Sequence, residues 1–65
     1  MATTYIVKGG TLFQRTSSGD FPHGRVTEVE VLPSGFTYHI KRRDTYAKVD
    51  VKSDDVVIWA PEDKE

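Results

Sequence analysis

Three consecutive basic residues follow a histidine in the stretch GFTYHIKRRD, residues 35–44. Such side chains can bind the phosphates of nucleic acids, or they can lie on an ordinary solvent-exposed sheet face. The stretch alternates apolar and polar residues, which predicts a half-buried strand whose neighbouring side chains point to opposite faces. His39 and Lys41 should then face solvent, Arg42 should lie on the core-facing side at the strand end, and Arg43 should lie in a turn. The three bases therefore do not form one stripe.

The charge of this segment admits two interpretations. In the first, which we favour, most of it is paired across neighbouring strands, at about 0.2–1 kcal/mol per pair. The register inferred below sets His39 between Glu30 and Asp50, and Lys41 between Glu28 and Lys48. In the second, a small basic patch near the turn stays unpaired and contacts phosphates; it would consist of Lys41, Arg43 and Lys48.

Metal and enzyme chemistry find little support in the sequence. Carboxylates beside His39 would favour the imidazolium form, which opposes metal binding, and His23 lies in a separate segment. The chain has no cysteine, so neither a disulfide nor a thiolate zinc site can form. No glycine motif matches a phosphate-binding loop, and a domain of this size has little room for a pocket. We expect a non-enzymatic protein with no cofactor and no metal.

Length and composition limit the architecture and the location. Sixty-five residues allow one domain, which we place at residues 1–60, followed by a polar tail at 61–65. Nine basic and ten acidic residues give a net charge of −1, which creates no overall attraction to nucleic acid or membrane. No apolar run suits a signal peptide or a membrane span. These features, with the absence of cysteine, predict a soluble cytoplasmic protein.

Period-two alternation dominates three segments, RVTEVEV, FTYHIKR and YAKVDVK. Opposed residues in antiparallel strands share a face, so pairing of the apolar faces requires turns with an even number of residues. The first turn is predicted at Ser34-Gly35 or over residues 33–36, and the second around RDTY with Asp44-Thr45 at its tip. The predicted core residues on the shared face are Val29, Val31, Tyr38, Ile40, Val49 and Val51.

The flanking segments complete the predicted order. TTYIVK and TLFQR are β-prone and are separated by Gly9-Gly10, which is either a bend in one strand or a hairpin turn. TSSGDFPHG is rich in turn formers and is predicted to be a long irregular loop. KSDDV suits a single turn of 3₁₀ helix before the last strand, VVIWA, which is apolar on both faces.

This order of strands, long loop, two short turns and a 3₁₀ turn resembles the SH3-like small barrel over roughly residues 4 to 60. The predicted fold is all-β: a five-stranded SH3-like barrel or a strongly bent antiparallel sheet with one 3₁₀ turn. The Ala-Leu-Tyr-Asp-Tyr run of signalling SH3 domains is replaced by GTLFQRT, and Gly35-Phe36 stands where those domains carry paired tryptophans. Binding of proline-rich peptides is therefore not implied. Related Tudor-like and KOW-like modules bind proteins, RNA or DNA, so the fold does not select a ligand.

Four side chains are the predicted partner-binding residues, because aromatic and apolar groups near solvent anchor interfaces. They are Phe21, His23, Phe36 and Trp59. Alternatively, Phe21 covers the end of the barrel and Trp59 is covered by other parts of the chain. We expect a small protein-binding module or adaptor whose partner is another protein, including a second copy of this chain. A nucleic-acid-binding barrel that uses Lys41, Arg43 and Lys48 is the alternative.

Overall fold

The structure is a computed structural model that describes residues 2–60, so the predicted tail at 61–65 lies outside the described residues. These residues form six strands and no helix, which confirms the all-β prediction but adds one strand. The described part of the chain accordingly offers no helix able to cross a bilayer. The strands are β1 (Thr4–Lys8), β2 (Thr11–Thr16), β3 (Gly19–Leu32), β4 (Gly35–Arg42), β5 (Thr45–Lys52) and β6 (Val56–Ala60).

The strands form one sheet in the order β5-β4-β3-β2-β1-β6, which curls into a half-barrel. All neighbours are antiparallel except β1 and β6, which run parallel. The ring centroids of Tyr38 in β4 and Trp59 in β6 lie 6.5 Å apart. Three strands separate them in the sheet order, so in a flat sheet they would lie about 19 Å apart. The curl therefore brings distant strands face to face around a shared interior.

The additional strand arises at Gly9-Gly10, which proves to be a hairpin turn rather than a bend. Both glycines have positive φ, 60° and 80°, as a two-residue turn of type I′ requires. The turn reverses the chain so that Val7 lies opposite Leu12. Because a left-handed conformation at two successive positions is costly for other residues, this pair of glycines explains why the chain turns here.

The prediction of an irregular loop over TSSGDFPHG was wrong. Only Ser17 and Ser18 form a turn, and β3 already begins at Gly19, with Gln14 opposite Phe21. The pairing contains a bulge, because Leu12 lies opposite Gly24 and Phe13 opposite Pro22, which leaves residue 23 as the extra one. Proline is tolerated beside a bulge, where the ladder lacks a hydrogen bond in any case. The turn-forming residues of this segment therefore lie at the hairpin tip and at the bulge.

The two predicted short turns contain an even number of residues, but each turn lies earlier in the chain than expected. The β3–β4 turn is Pro33-Ser34, so Tyr38 lies opposite Val29 instead of Val31. The β4–β5 turn is Arg43-Asp44, so Tyr38 also lies opposite Val49 instead of Val51. A second bulge between Val26 and Glu28 sets Val26 opposite Ile40. Every partner is thus displaced, although most side chains keep the predicted face.

The predicted 3₁₀ turn at KSDDV was also wrong. A single hydrogen bond runs from the N–H of Asp55 to the carbonyl oxygen of Lys52 at 3.0 Å, which makes one tight turn and no helical segment. The Asp55 carboxylate accepts the N–H of Lys52 at 3.0 Å and that of Thr3 at 2.9 Å. One side chain therefore closes the corner between β5 and β6.

The core fills the concave side of the half-barrel. Its buried members are Tyr5, Val7, Leu12, Tyr38, Ile40 and Val51, and Val26, Val49 and Val57 pack against them. Three of the six predicted core residues are buried here, and Val49 is half-buried. Val29 and Val31 were wrongly predicted to be buried, since the register shift moves them toward the hairpin tip, where Val31 is 74% exposed.

Candidate functional site

Two hollows open on the concave side of the sheet. The first, here called the aromatic groove, has a volume of about 580 Å³ and is lined chiefly by Val29, Phe36, Tyr38, Val51, Val57 and Trp59. The second, here called the polar cleft, has a volume of about 490 Å³ and is lined chiefly by Tyr5, Gln14, His23, Ile40, Arg42 and Val49. The expectation that a domain of this size has little room for a pocket was therefore wrong, because the half-barrel stays open.

Three rings form the aromatic groove. Tyr38 is buried at its base, and the rings of Phe36 and Trp59 each lie 6.5 Å from it, tilted by 64° and 40°. Phe36 and Trp59 are 40% and 63% exposed. Burial raises the pKa of the Tyr38 hydroxyl, and a hydrogen bond with Trp59 opposes that rise. The base of the groove is thus fixed by packing, while its two sides present aromatic surface to solvent.

Exposed aliphatic side chains extend the groove toward the β3–β4 turn. Val31 lies directly opposite Phe36, and cross-strand partners share a face. Val29 pairs with Tyr38 on the same side and lines the groove. Each of these two valines is more than one-third exposed. The groove therefore continues into an apolar strip, which isolated exposed side chains would not produce.

The two edges of the sheet differ in chemistry. β5 lies at one edge, and its side chains include Lys48, Asp50 and Lys52. β6 lies at the other edge and has the uncharged sequence VVIWA. Charged residues on an edge strand discourage pairing with another chain. The β5 edge carries such protection and the β6 edge, which borders the aromatic groove, does not.

The backbone of β6 is oriented for pairing. The N–H of Val56 donates to the Thr3 carbonyl oxygen at 2.9 Å on the β1 side. Backbone groups of successive strand residues point to opposite sides, so those of Val57 and Trp59 point away from β1. Among residues 2–60 no strand lies on that side. The open edge and the groove are therefore adjacent, because Val57 and Trp59 belong to both.

The polar cleft contains a connected set of polar side chains. The Nε2–H group of His23 donates a hydrogen bond to Oε1 of Gln14 at 2.9 Å. Burial lowers the pKa of His23, and the nearby Arg42 guanidinium lowers it further. Burial raises the pKa of Tyr5, and the carboxylates of Asp55 and Asp50 add to this effect. The neutral forms of His23 and Tyr5 are thereby favoured.

Arg42 is held in place at this cleft. Its Nε and Nη2 atoms donate to the carbonyl oxygen of His23 at 3.0 and 2.7 Å. Its guanidinium carbon lies 5.9 Å from the centroid of Phe21, whose ring meets that of His23 edge to face at 5.3 Å. The prediction that Arg42 lies on the core-facing side at the strand end is confirmed.

The four predicted partner-binding residues divide between these two regions. Phe36 and Trp59 line the aromatic groove, whereas His23 lines the polar cleft and Phe21 packs beside it. Sequence reasoning missed the groove role of Tyr38, which had been assigned only to the core. The signal for it was present, since Tyr38 and Phe36 share a face two residues apart.

The predicted basic residues also occupy separate positions. Lys41 lies opposite Arg25, and its Nζ atom lies 5.4 Å from the centre of the Tyr46 ring. Lys48 lies opposite His39, and Arg43 occupies the β4–β5 turn with φ of 55°. The predicted opposition of Lys41 to Glu28 and Lys48 was therefore wrong.

The predicted position of His39 between Glu30 and Asp50 was wrong in register. Its cross-strand neighbours are Glu28 and Lys48. Its Nε2 atom nevertheless lies 3.4 Å from Oε1 of Glu30, which is reached diagonally. Within residues 2–60 no group of three His, Asp or Glu side chains is arranged to hold a metal ion.

In comparisons with known proteins, no family model, no curated protein and no solved structure matches the chain.

Proposed function

We propose that this chain is a small non-enzymatic protein-binding module that takes up an extended segment of a partner protein. The segment would pair with the open edge of β6 and place alternate apolar side chains in the aromatic groove. The observation that carries the proposal is that an uncharged edge strand directly borders an exposed aromatic hollow. Addition of a strand to a sheet edge is a recurring mode of peptide recognition.

The energetics favour such a ligand. Backbone hydrogen bonds along β6 would supply affinity, and the groove would supply selectivity for apolar residues at positions i and i+2. Trp59 exposes 63% of its surface, and tryptophan is the kind of residue that dominates binding energy at interfaces. Because Tyr38 is already buried at the base, the groove needs little reorganisation on binding.

Two finer assignments belong to this proposal. The curled sheet is compatible with a small barrel, and we keep the SH3-like resemblance as a hypothesis about its fold. It rests on the consecutive antiparallel hairpins and on the short corner before the last strand. The cytoplasmic location rests on the absence of cysteine.

A peptide library displayed on phage tests the binding mode without knowledge of the natural partner. Enriched peptides should alternate apolar and other residues, and their binding should fall about tenfold or more with Trp59→Ala. Tyr46→Ala is the matched control, since Tyr46 is 69% exposed but lies outside the groove. Trp59 is the single tryptophan, so its fluorescence reports binding directly.

Three outcomes would count against the proposal. They are enrichment of peptides without alternation, undiminished binding in the Trp59→Ala variant, and equal weakening of binding by Tyr46→Ala. A second copy of this chain could also pair with the open edge of β6. Sedimentation equilibrium of the chain alone tests whether it forms such a dimer. A dimer that Trp59→Ala dissociates would identify the chain itself as the partner.

A second candidate, nucleic-acid binding, has one observation in its favour. Arg25 and Lys41 lie directly opposite one another, and like charges in that arrangement are destabilising unless an anion relieves them. If phosphates bind here, Lys41→Ala combined with Arg43→Ala should weaken binding and flatten its salt dependence. Absence of a mobility shift with DNA and RNA at low salt would remove this candidate.

A further inference from the structure

The polar cleft has a built polar end and an apolar floor. Gln14, His23 and Arg42 supply the polar groups, whereas Ile40 and Val49 line the floor beside the ring of Tyr5. Its volume of about 490 Å³ falls in the range of about 300–1,000 Å³ that small-molecule sites occupy. The aromatic groove and the edge of β6 play no part in it, so this hollow is independent of the proposed peptide site.

The Arg42 guanidinium is positioned before any ligand arrives. Two of its five N–H groups donate to the carbonyl oxygen of His23, and the ring of Phe21 lies against it. Both N–H groups of Nη1 and one of Nη2 lie outside this contact. A guanidinium held in one orientation loses little entropy when it binds a planar carboxylate with two parallel hydrogen bonds.

The charges around the cleft favour an anion. The Arg42 guanidinium lies at the polar end of the cleft. Lys48 and Asp50 also border it, but they alternate along β5 with Ala47 and Val49, which directs the Lys48 ammonium and the Asp50 carboxylate to the other face of the sheet. That carboxylate already accepts a hydrogen bond from Thr37 Oγ1 at 3.1 Å. Arg42 is thus the charged group directed into the cleft, while the Nε2–H of His23 is directed to Gln14.

We propose that the polar cleft binds a small aromatic carboxylate. Its carboxylate would pair with the free N–H groups of Arg42, and its ring would lie on the floor beside Tyr5 and Ile40. A simple inorganic anion would leave the apolar floor in contact with water and would gain no apolar burial there. The ring of the ligand would displace this water and add apolar burial to the ionic contact.

The test is a titration of the ¹⁵N-labelled full chain at neutral pH, followed by NMR. Benzoate should shift the Arg42 side-chain Nε–H signal and the signals of Tyr5, Gln14 and Ala47. Acetate, which lacks the ring, and benzyl alcohol, which lacks the charge, should each bind about tenfold more weakly or worse. No shift with benzoate at millimolar concentration would overturn the proposal.

Two variants separate this site from general charge attraction. Arg42→Gln should weaken benzoate binding about tenfold or more, whereas Arg43→Gln should leave it unchanged, because Arg43 lies in the turn outside the cleft. Equal losses in both variants, or none in Arg42→Gln, would contradict the assignment. Phenyl phosphate is the third probe, and binding of it in preference to benzoate would overturn the choice of a carboxylate.

A further variant guards against a folding effect of Arg42→Gln, whose side chain also joins two strands. Ala47→Leu fills the cleft from β5 and keeps the guanidinium. It should abolish benzoate binding while the dispersion of the amide spectrum stays native. Undiminished binding to Ala47→Leu would show that benzoate lies elsewhere, and the proposal would fail.

Discussion

The carboxylate of Asp55 accepts a hydrogen bond from the backbone N–H of Thr3, at 2.9 Å, across 52 residues of sequence. It accepts a second from the N–H of Lys52 at 3.0 Å. These two bonds, first that from Thr3, lower the pKa of Asp55 below its ordinary value. The contact ties the corner before β6 to the chain just ahead of β1, where the parallel pair begins.

Acid should loosen this corner. Because the folded-state pKa of Asp55 lies below its unfolded value, the stability that its charge contributes is complete above the unfolded value. That stability is lost as the pH falls through the folded value. Asp55→Asn should lower the free energy of unfolding at neutral pH. It should also make that free energy depend less on pH in the acid range. Urea unfolding at several pH values measures both effects. The same loss of stability with falling pH in the variant as in the original chain would contradict them.

Ile40→Ala should be severely destabilising. Ile40 is buried between Val26 and Ala47, and its truncation should cost about 2–5 kcal/mol. A domain of this length has only about 3–10 kcal/mol in total, at roughly 0.05–0.15 kcal/mol per residue. Val31→Ala is the matched control and should change stability by no more than about 0.5 kcal/mol, because Val31 is largely exposed. Thermal unfolding by circular dichroism compares the two, and similar losses would refute the register.

Gly35→Ala should destabilise the fold more than Gly19→Ala. Both glycines have φ values that disfavour other residues, 146° and 124°, so both variants carry a cost of about 1–3 kcal/mol. A methyl group at Gly35 would overlap the carbonyl oxygen of Val51, whereas one at Gly19 meets no atom within 4 Å. The difference between their unfolding midpoints therefore measures the close approach of β4 to β5. Equal midpoints would contradict that approach.

His23 should titrate below the ordinary histidine value of about 6.5. Burial and, second, Arg42 disfavour its charged form, so stability should fall as the pH drops from that value through the folded pKa. NMR of the ring protons measures the pKa, and the His39→Gln variant assigns the signal. Arg42→Gln should raise the pKa of His23 toward the ordinary value. A pKa of His23 above 6.5 in the native chain would contradict this account of the cleft.

Residue types predicted which side chains present contact surface, but they did not predict which of these side chains lie together in one hollow. Aromatic residues near turns and at an apolar last strand indicated contact surfaces, and Phe36 and Trp59 do line one groove. The same reasoning grouped Phe21 with Trp59, whereas Phe21 lies with Arg42 at the cleft. Which exposed rings share a hollow depends on how the sheet curls, and local sequence patterns carry no information on that curl.

The alternation of residue types by itself determined that the chain forms strands, that Tyr38, Ile40 and Val51 face the interior, and that the short turns are even. The tertiary structure decided the register, because a shift of two residues leaves every side chain on its own face and alternation cannot detect it. It also decided that Tyr38 meets Trp59, since only the closing of the sheet brings β4 to β6.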